Sequence, residues 1–160
     1  MVIPDTLGGR TVDTEEAAEA LLEEIDRDAR RTLVERCADE LAAQGRPWAA
    51  VGFSMGAMYA CHVAGRGAAG PEEIYLFYSG GDPEGDVRTK RAQLHYVPDD
   101  DFFTADEVKE TETALRTAGV DLETFEYPGS RHWFAERGTP GFDEAAFELA
   151  RTRVLDGLRA

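Results

Sequence analysis

The sequence predicts an α/β fold, a three-layer α/β/α sandwich around a mainly parallel sheet, and two observations carry the prediction. Short apolar runs suited to buried strands recur at residues 48–53, 74–78, 94–97 and 122–127, and stretches of helical periodicity alternate with them. Strands that alternate with helices are joined by crossovers, which make neighbouring strands parallel and lay helices on the sheet faces. The 160 residues contain no internal repeat, low-complexity tract or linker, so residues 1–160 are expected to form one domain.

The elements follow in order. Residues 1–4 are apolar and end in Pro4-Asp5, which reads as the end of a strand, and Leu7-Gly8-Gly9-Arg10 is a turn. From Thr14, an N-cap residue with acids behind it, apolar positions recur at helical spacing through Leu21, Ile25, Val34 and Leu41, giving one broken helix or two over residues 14–43. Gly45 and Pro47 stop it, and the continuous apolar run at 48–53 suits a strand covered on both faces. A helix of small and apolar residues is expected from Met55 to Gly65, able to pack close to a sheet. The two central strands are separated by a loop rich in Gly, Asp and Pro at 79–85. An acidic-to-basic helix at 104–118, the strand at 122–127, a Pro128-Gly129 turn and a closing helix at 143–158 complete the chain.

Composition excludes several function classes. A formal charge of −15 repels phosphate backbones and anionic lipid, so neither nucleic acid nor a membrane surface is an expected partner. No apolar run approaches the roughly 18 residues needed to cross a bilayer, and the N-terminus has neither a basic leader nor a long apolar core, so the expected location is cytoplasmic. Cys37 and Cys61 lie in helical segments without a CxxC pattern and read as reduced structural thiols. His62, His95 and His132 are too scattered for zinc, so no metal and no cofactor are expected.

Gly52-Phe53-Ser54-Met55-Gly56 matches Gly-x-Ser-x-Gly, a strained strand-to-helix turn whose flanking glycines leave room for little but the serine. An apolar strand runs into Ser54 and a small-residue helix runs out, which is the context this motif requires. The Met55 amide, at the helix N-terminus, is the expected oxyanion-hole donor. A serine hydroxyl is a poor nucleophile until a base takes its proton, so the motif calls for a histidine and an acid on later loops. His132 follows the strand at 122–127, whereas His95 sits inside a strand and His62 on a helix. Asp99-Asp100-Asp101 follows the strand at 94–97, and spacing alone does not select among the three.

These residues resemble the dienelactone hydrolase family of α/β-hydrolases. Pro4-Asp5-Thr6-Leu7-Gly8-Gly9-Arg10, Gly52 to Ala57, Asp100-Asp101-Phe102-Phe103 and Tyr127-Pro128-Gly129-Ser130-Arg131-His132-Trp133-Phe134 each resemble one of its motifs, in order, over essentially the whole chain. The resemblance implies a Ser54, His132 and Asp100 triad and hydrolysis of a small-molecule ester, thioester or lactone through an acyl-enzyme. It makes Asp100 the preferred aspartate; Arg10, able to hold a substrate carboxylate, and Trp133, one of the aromatics able to line an apolar pocket, are the candidate substrate contacts.

Three departures qualify what the resemblance implies. Ser54 stands where many members carry cysteine, and Glu136 stands where the family places an arginine that holds a substrate carboxylate. The family also has strands and an oxyanion-hole loop before the Pro-Asp motif, where this sequence starts, which implies an α/β-hydrolase fold truncated by about a third. A misplaced start site explains this more simply than an evolved deletion. The strand at residues 1–4 then either pairs directly with that at 48–53 or leaves an exposed sheet edge open to a partner chain, a homodimer included. A non-catalytic binding or assembly module derived from the same fold is the alternative function.

Overall fold

The apolar runs assemble into one parallel sheet. A computed structural model describes residues 1–159, the side chain of Glu15 excepted. Two helices, α1 (Glu15–Glu24) and α2 (Arg27–Ala42), precede β1 (Ala49–Phe53). Then come α3 (Met55–Ala64), β2 (Glu73–Phe77), β3 (Arg91–Tyr96), α4 (Ala105–Thr117), β4 (Asp121–Glu126) and α5 (Glu144–Gly157). The sheet order is β1-β2-β3-β4, every pair parallel, and its register places Phe53, Phe77, His95 and Phe125 on one line across it.

Local chemistry sets the helix ends. The long helical stretch breaks into two because Ile25 leaves helical geometry and Asp26 caps α2, accepting from the Asp28 and Ala29 amides. Thr104 and Glu107 form a reciprocal capping box on α4, and Asp143 caps α5 through the Ala145 and Ala146 amides. Each cap satisfies amides that have no partner inside the helix.

Alternating side chains divide the core in two. Ile74, Leu76, Ala92, Leu94 and Leu122 face one side, against α3 through Ala57, Ala60 and Cys61 and against α4 through Val108 and Leu115. Tyr75, Phe77, Tyr127 and Phe134 face the other side, against Ala146 and Ala150 of α5. Helix α2 packs outside α3, Val34 and Ala38 against Val63. Arg30, at the start of α2, donates to Leu22 O at 3.4 Å and to Met55 Sδ at 3.3 Å, tying α1 and α2 to the start of α3.

Two expectations at the N-terminal end fail. Residues 1–4 form no strand, so the direct pairing with β1 does not occur. Nor is β1 covered on both faces: as an edge strand it leaves Val51 48% and Phe53 40% exposed, because an apolar run reports burial tendency and not position in the sheet. Beside that edge, Val2, Pro4 and Thr6 border a groove of about 300 Å³ whose other walls are β1, α2 and α3. Among the described residues no helix is long and apolar enough to cross a membrane.

The close approach of α3 to β1 depends on Gly52. A Cβ there would lie 2.2 Å from the Gly56 carbonyl oxygen, whereas one on Gly56 would have nothing within 4 Å, so the crowding expected at both glycines exists at the first alone. Gly52→Ala is therefore expected to cost roughly 3 kcal/mol, the upper end of ordinary over-packing. Gly56→Ala is expected to leave the melting temperature unchanged or slightly higher, since alanine favours a helix over glycine by about 0.5–1 kcal/mol. Thermal melting of the two variants checks this, and equal losses would refute it.

A second prediction concerns His95, fully buried between Phe77 and Phe125, its Nδ1 2.8 Å from the Tyr127 hydroxyl. Burial, and secondly the Arg153 charge, lower its pKa from the ordinary 6.5 to about 3. Between those values the unfolded chain takes up a proton that the folded chain refuses. Stability is thus expected to fall as pH drops from 6.5 towards 3, by up to roughly 1.4 kcal/mol per pH unit from this group. Urea melts of His95→Phe should show a shallower decline over that window, and identical slopes would contradict the assignment.

Candidate active site

The parallel register brings the C-terminal ends of the strands to one edge of the sheet, and three loops there carry the predicted residues. Ser54 stands between β1 and α3 with φ 48° and ψ −120°, and its amide extends the sheet by donating to Phe77 O at 3.0 Å. Its side chain does not cap α3, which leaves Oγ free to turn towards the later loops.

Of the three consecutive aspartates, burial separates one. The Asp100 side chain is fully buried, while Asp99 and Asp101 are exposed. Asp100 Oδ1 accepts from the Phe102 amide at 2.8 Å and the Phe103 amide at 3.2 Å, which fixes the carboxylate. Its Oδ2 lies 2.8 Å from Nδ1 of His132, which is 6% exposed. On the other side of the ring, His132 Nε2 lies 3.2 Å from Ser54 Oγ. An ionised Asp100 can only accept, so Nδ1 carries the proton and Nε2 presents a lone pair to the serine.

Three aromatic rings confine the imidazole. Tyr78 lies 4.7 Å, Phe102 4.9 Å and Trp133 4.9 Å from it, centroid to centroid. Tyr78 is fully buried and its hydroxyl donates to Glu136 Oε1 at 2.6 Å. Burial first, and then the Glu136 carboxylate, push the phenol far above its ordinary pKa, so it remains a donor. The histidine loop is tied down further by Ser130 Oγ donating to Asp143 Oδ2 at 2.9 Å and by the Asp143 amide donating to Phe134 O at 3.0 Å. Among the described residues the non-glycine positions with positive φ are Ser54, Tyr78 (41°) and Trp133 (65°), all three at this site. Backbone strain gathered in one place is a mark of a functional centre.

The remaining candidates separate. The Met55 amide sits at the first turn of α3, where it has no partner within the helix. Trp133 lines a cavity of about 470 Å³ beside His132, together with Asp99, Phe102 and Arg131. Arg10 does not join the group: its exposed guanidinium pairs with Glu24 of α1 at 2.7 Å. His62 bonds Glu35 of α2 at 2.7 Å, and Cys61 is buried with its thiol pushed up to about 12, chiefly by desolvation. Among the described residues no cluster of His, Cys, Asp or Glu could hold a metal ion. Sequence reasoning missed Tyr78 and the partnership of Glu136. The one available signal was an aromatic residue at the end of a predicted buried strand, beside a Gly/Asp/Pro-rich loop.

Comparison with known proteins gives a consistent picture. The family model "Dienelactone hydrolase family" matches residues 1–160. Among solved structures, a dienelactone hydrolase-like promiscuous phosphotriesterase from metagenomic libraries superposes with a TM-score of 0.71 at 21% identity, over 92% of this chain and 68% of its own. Esterase PE8 gives 0.61 at 22% identity, over 81% and 60%. A carboxylesterase of Bacillus cereus gives 0.56 at 16% identity, over 82% and 62%. No curated protein matches the sequence. The chain thus spans about two thirds of the length of these structures and matches part of the α/β-hydrolase fold. With the family model matched from end to end, the chain belongs to the dienelactone hydrolase family.

Proposed function

We propose that the chain is a serine hydrolase of small carboxylic esters, thioesters or lactones, working through an acyl-enzyme. The observation that carries this reading is the continuous path from Asp100 Oδ2 through the His132 ring to Ser54 Oγ, with steps of 2.8 and 3.2 Å. In the proposed cycle His132 Nε2 takes the Ser54 proton as Oγ attacks the carbonyl carbon. The carbonyl oxygen becomes an oxyanion stabilised by the Met55 amide and the dipole of α3. Collapse breaks the bond to the leaving oxygen or sulfur, which takes the proton from His132. Water then attacks the acyl-enzyme by the same route in reverse and releases the acid. Asp100 keeps Nδ1 protonated and steadies the imidazolium during each transfer. Trp133, its ring 4.9 Å from that of His132, is the proposed apolar contact for substrate.

A second reading, a non-catalytic binding or assembly module, draws on the open β1 edge with Val51 and Phe53 exposed, which suits pairing with a second copy. Its signature is a dimer mass in light scattering from a protein without esterase activity.

The deciding assay is hydrolysis of p-nitrophenyl acetate by the wild type beside Ser54→Ala and His132→Ala. On the hydrolase reading both variants lose on the order of 10³-fold or more in kcat. Equal rates in all three proteins would remove the hydrolase reading.

A further inference from the structure

We propose that Tyr78 and Glu136 act as a positioning pair that holds the His132 imidazole against Ser54, an inference that rests on the triad reading above.

The geometry creates the need for such a pair. In the order β1-β2-β3-β4, the strand that leads to His132 lies three places from the strand that leads to Ser54. At about 4.8 Å per strand the separation is roughly 14 Å. The loop after β4 must therefore fold back across the ends of β3 and β2 before His132 can meet Ser54. Tyr78 follows β2 directly and stands at the crossing: its amide donates to His95 O at 2.7 Å, continuing the sheet. Its side chain meets the returning loop in two places, with the ring 4.7 Å from that of His132 and the hydroxyl 2.6 Å from Glu136 Oε1. Phe134, between these two loop residues, also packs on the Tyr78 ring, at 5.5 Å.

Two further features separate this arrangement from ordinary packing. Tyr78 holds a φ of 41°, a conformation an aromatic residue adopts only when its surroundings compensate for the strain. Glu136 is in turn held within the loop, its amide donating to Trp133 O at 2.9 Å and its carbonyl accepting from Thr139 Oγ1 at 2.9 Å. The hydroxyl-to-carboxylate bond thus joins the sheet to the segment that carries His132. Losing it lets that segment relax while leaving Ser54, Asp100 and His132 chemically intact.

The test is a double-mutant cycle in p-nitrophenyl acetate hydrolysis, with kcat, KM and melting temperature measured for Tyr78→Phe, Glu136→Ala, Glu136→Gln and Tyr78→Phe/Glu136→Ala. Small displacements of a catalytic group cost up to about 100-fold in rate, so each of the first two changes is expected to lower kcat roughly 10-fold with KM within about two-fold. The double variant should lose roughly 10-fold and not 100-fold, because the two residues act through one bond. Glu136→Gln keeps an acceptor for the Tyr78 hydroxyl and should recover most of the rate. Wild-type kcat in Tyr78→Phe, multiplying losses, or a Glu136→Gln as slow as Glu136→Ala would each overturn the proposal. If Tyr78→Phe does not fold, the two Glu136 variants, at a half-buried position, decide it alone. Ser54→Ala in the same assay separates the two levels. An active Ser54→Ala sinks the triad reading and the pair with it, whereas an inactive one beside a fully active Tyr78→Phe sinks the pair alone.

Discussion

Everything at the site depends on the parallel register of the four strands. Because each strand runs the same way, their C-terminal ends lie at one edge, and residues 78 positions apart in the chain, Ser54 and His132, come within 3.2 Å. The sheet continues at its edge beyond the strands themselves: Ser54 bonds to Phe77, Tyr78 to His95 and Tyr127 to Tyr96 through the backbone. The roots of the serine and histidine loops are therefore tied into the same hydrogen-bonded ladder as the strands beneath them. On the proposed reading, such roots hold the site's geometry without ordering cost at the moment of reaction, which is the condition for electrostatic catalysis.

That continuous ladder is set against local strain. Gly52 lets the Gly56 carbonyl approach to a distance no side chain would permit, and Ser54, Tyr78 and Trp133 all adopt left-handed backbone. The surroundings hold these conformations through buried aromatic packing and charge-assisted bonds, of which Asp100 to His132 is the most enclosed. Most of the other ion pairs among the described residues, such as Arg10 to Glu24, are exposed and contribute little to stability.

Much of this was legible in the sequence, for reasons that can be named. Gly-x-Ser-x-Gly is readable because the strained turn constrains residues adjacent in the chain, and helix starts are readable because Thr14, Thr104 and Asp143 act on amides two or three residues away. Choosing Asp100 over its neighbours needed a family resemblance, since burial of one aspartate in three depends on the path of the chain. Strand order is less accessible still. Apolar content suggested a covered strand at residues 48–53, yet β1 lies at the edge, and residues 1–4 pair with nothing in the sheet. Arg10 fell outside the site because its exposed guanidinium pairs with Glu24 of α1, a contact between residues 14 positions apart that spacing does not reveal. The Tyr78 and Glu136 contact joins residues 58 positions apart across two loops, and no local pattern encodes it.

The central claim is that His132 activates Ser54. Its most direct measurement is reaction of the intact chain and of His132→Ala with a fluorophosphonate, the modified residue located by peptide mass spectrometry. The account predicts one adduct, on Ser54, in the wild type and little or none in the variant. An unmodified Ser54, or one modified equally without His132, would contradict it.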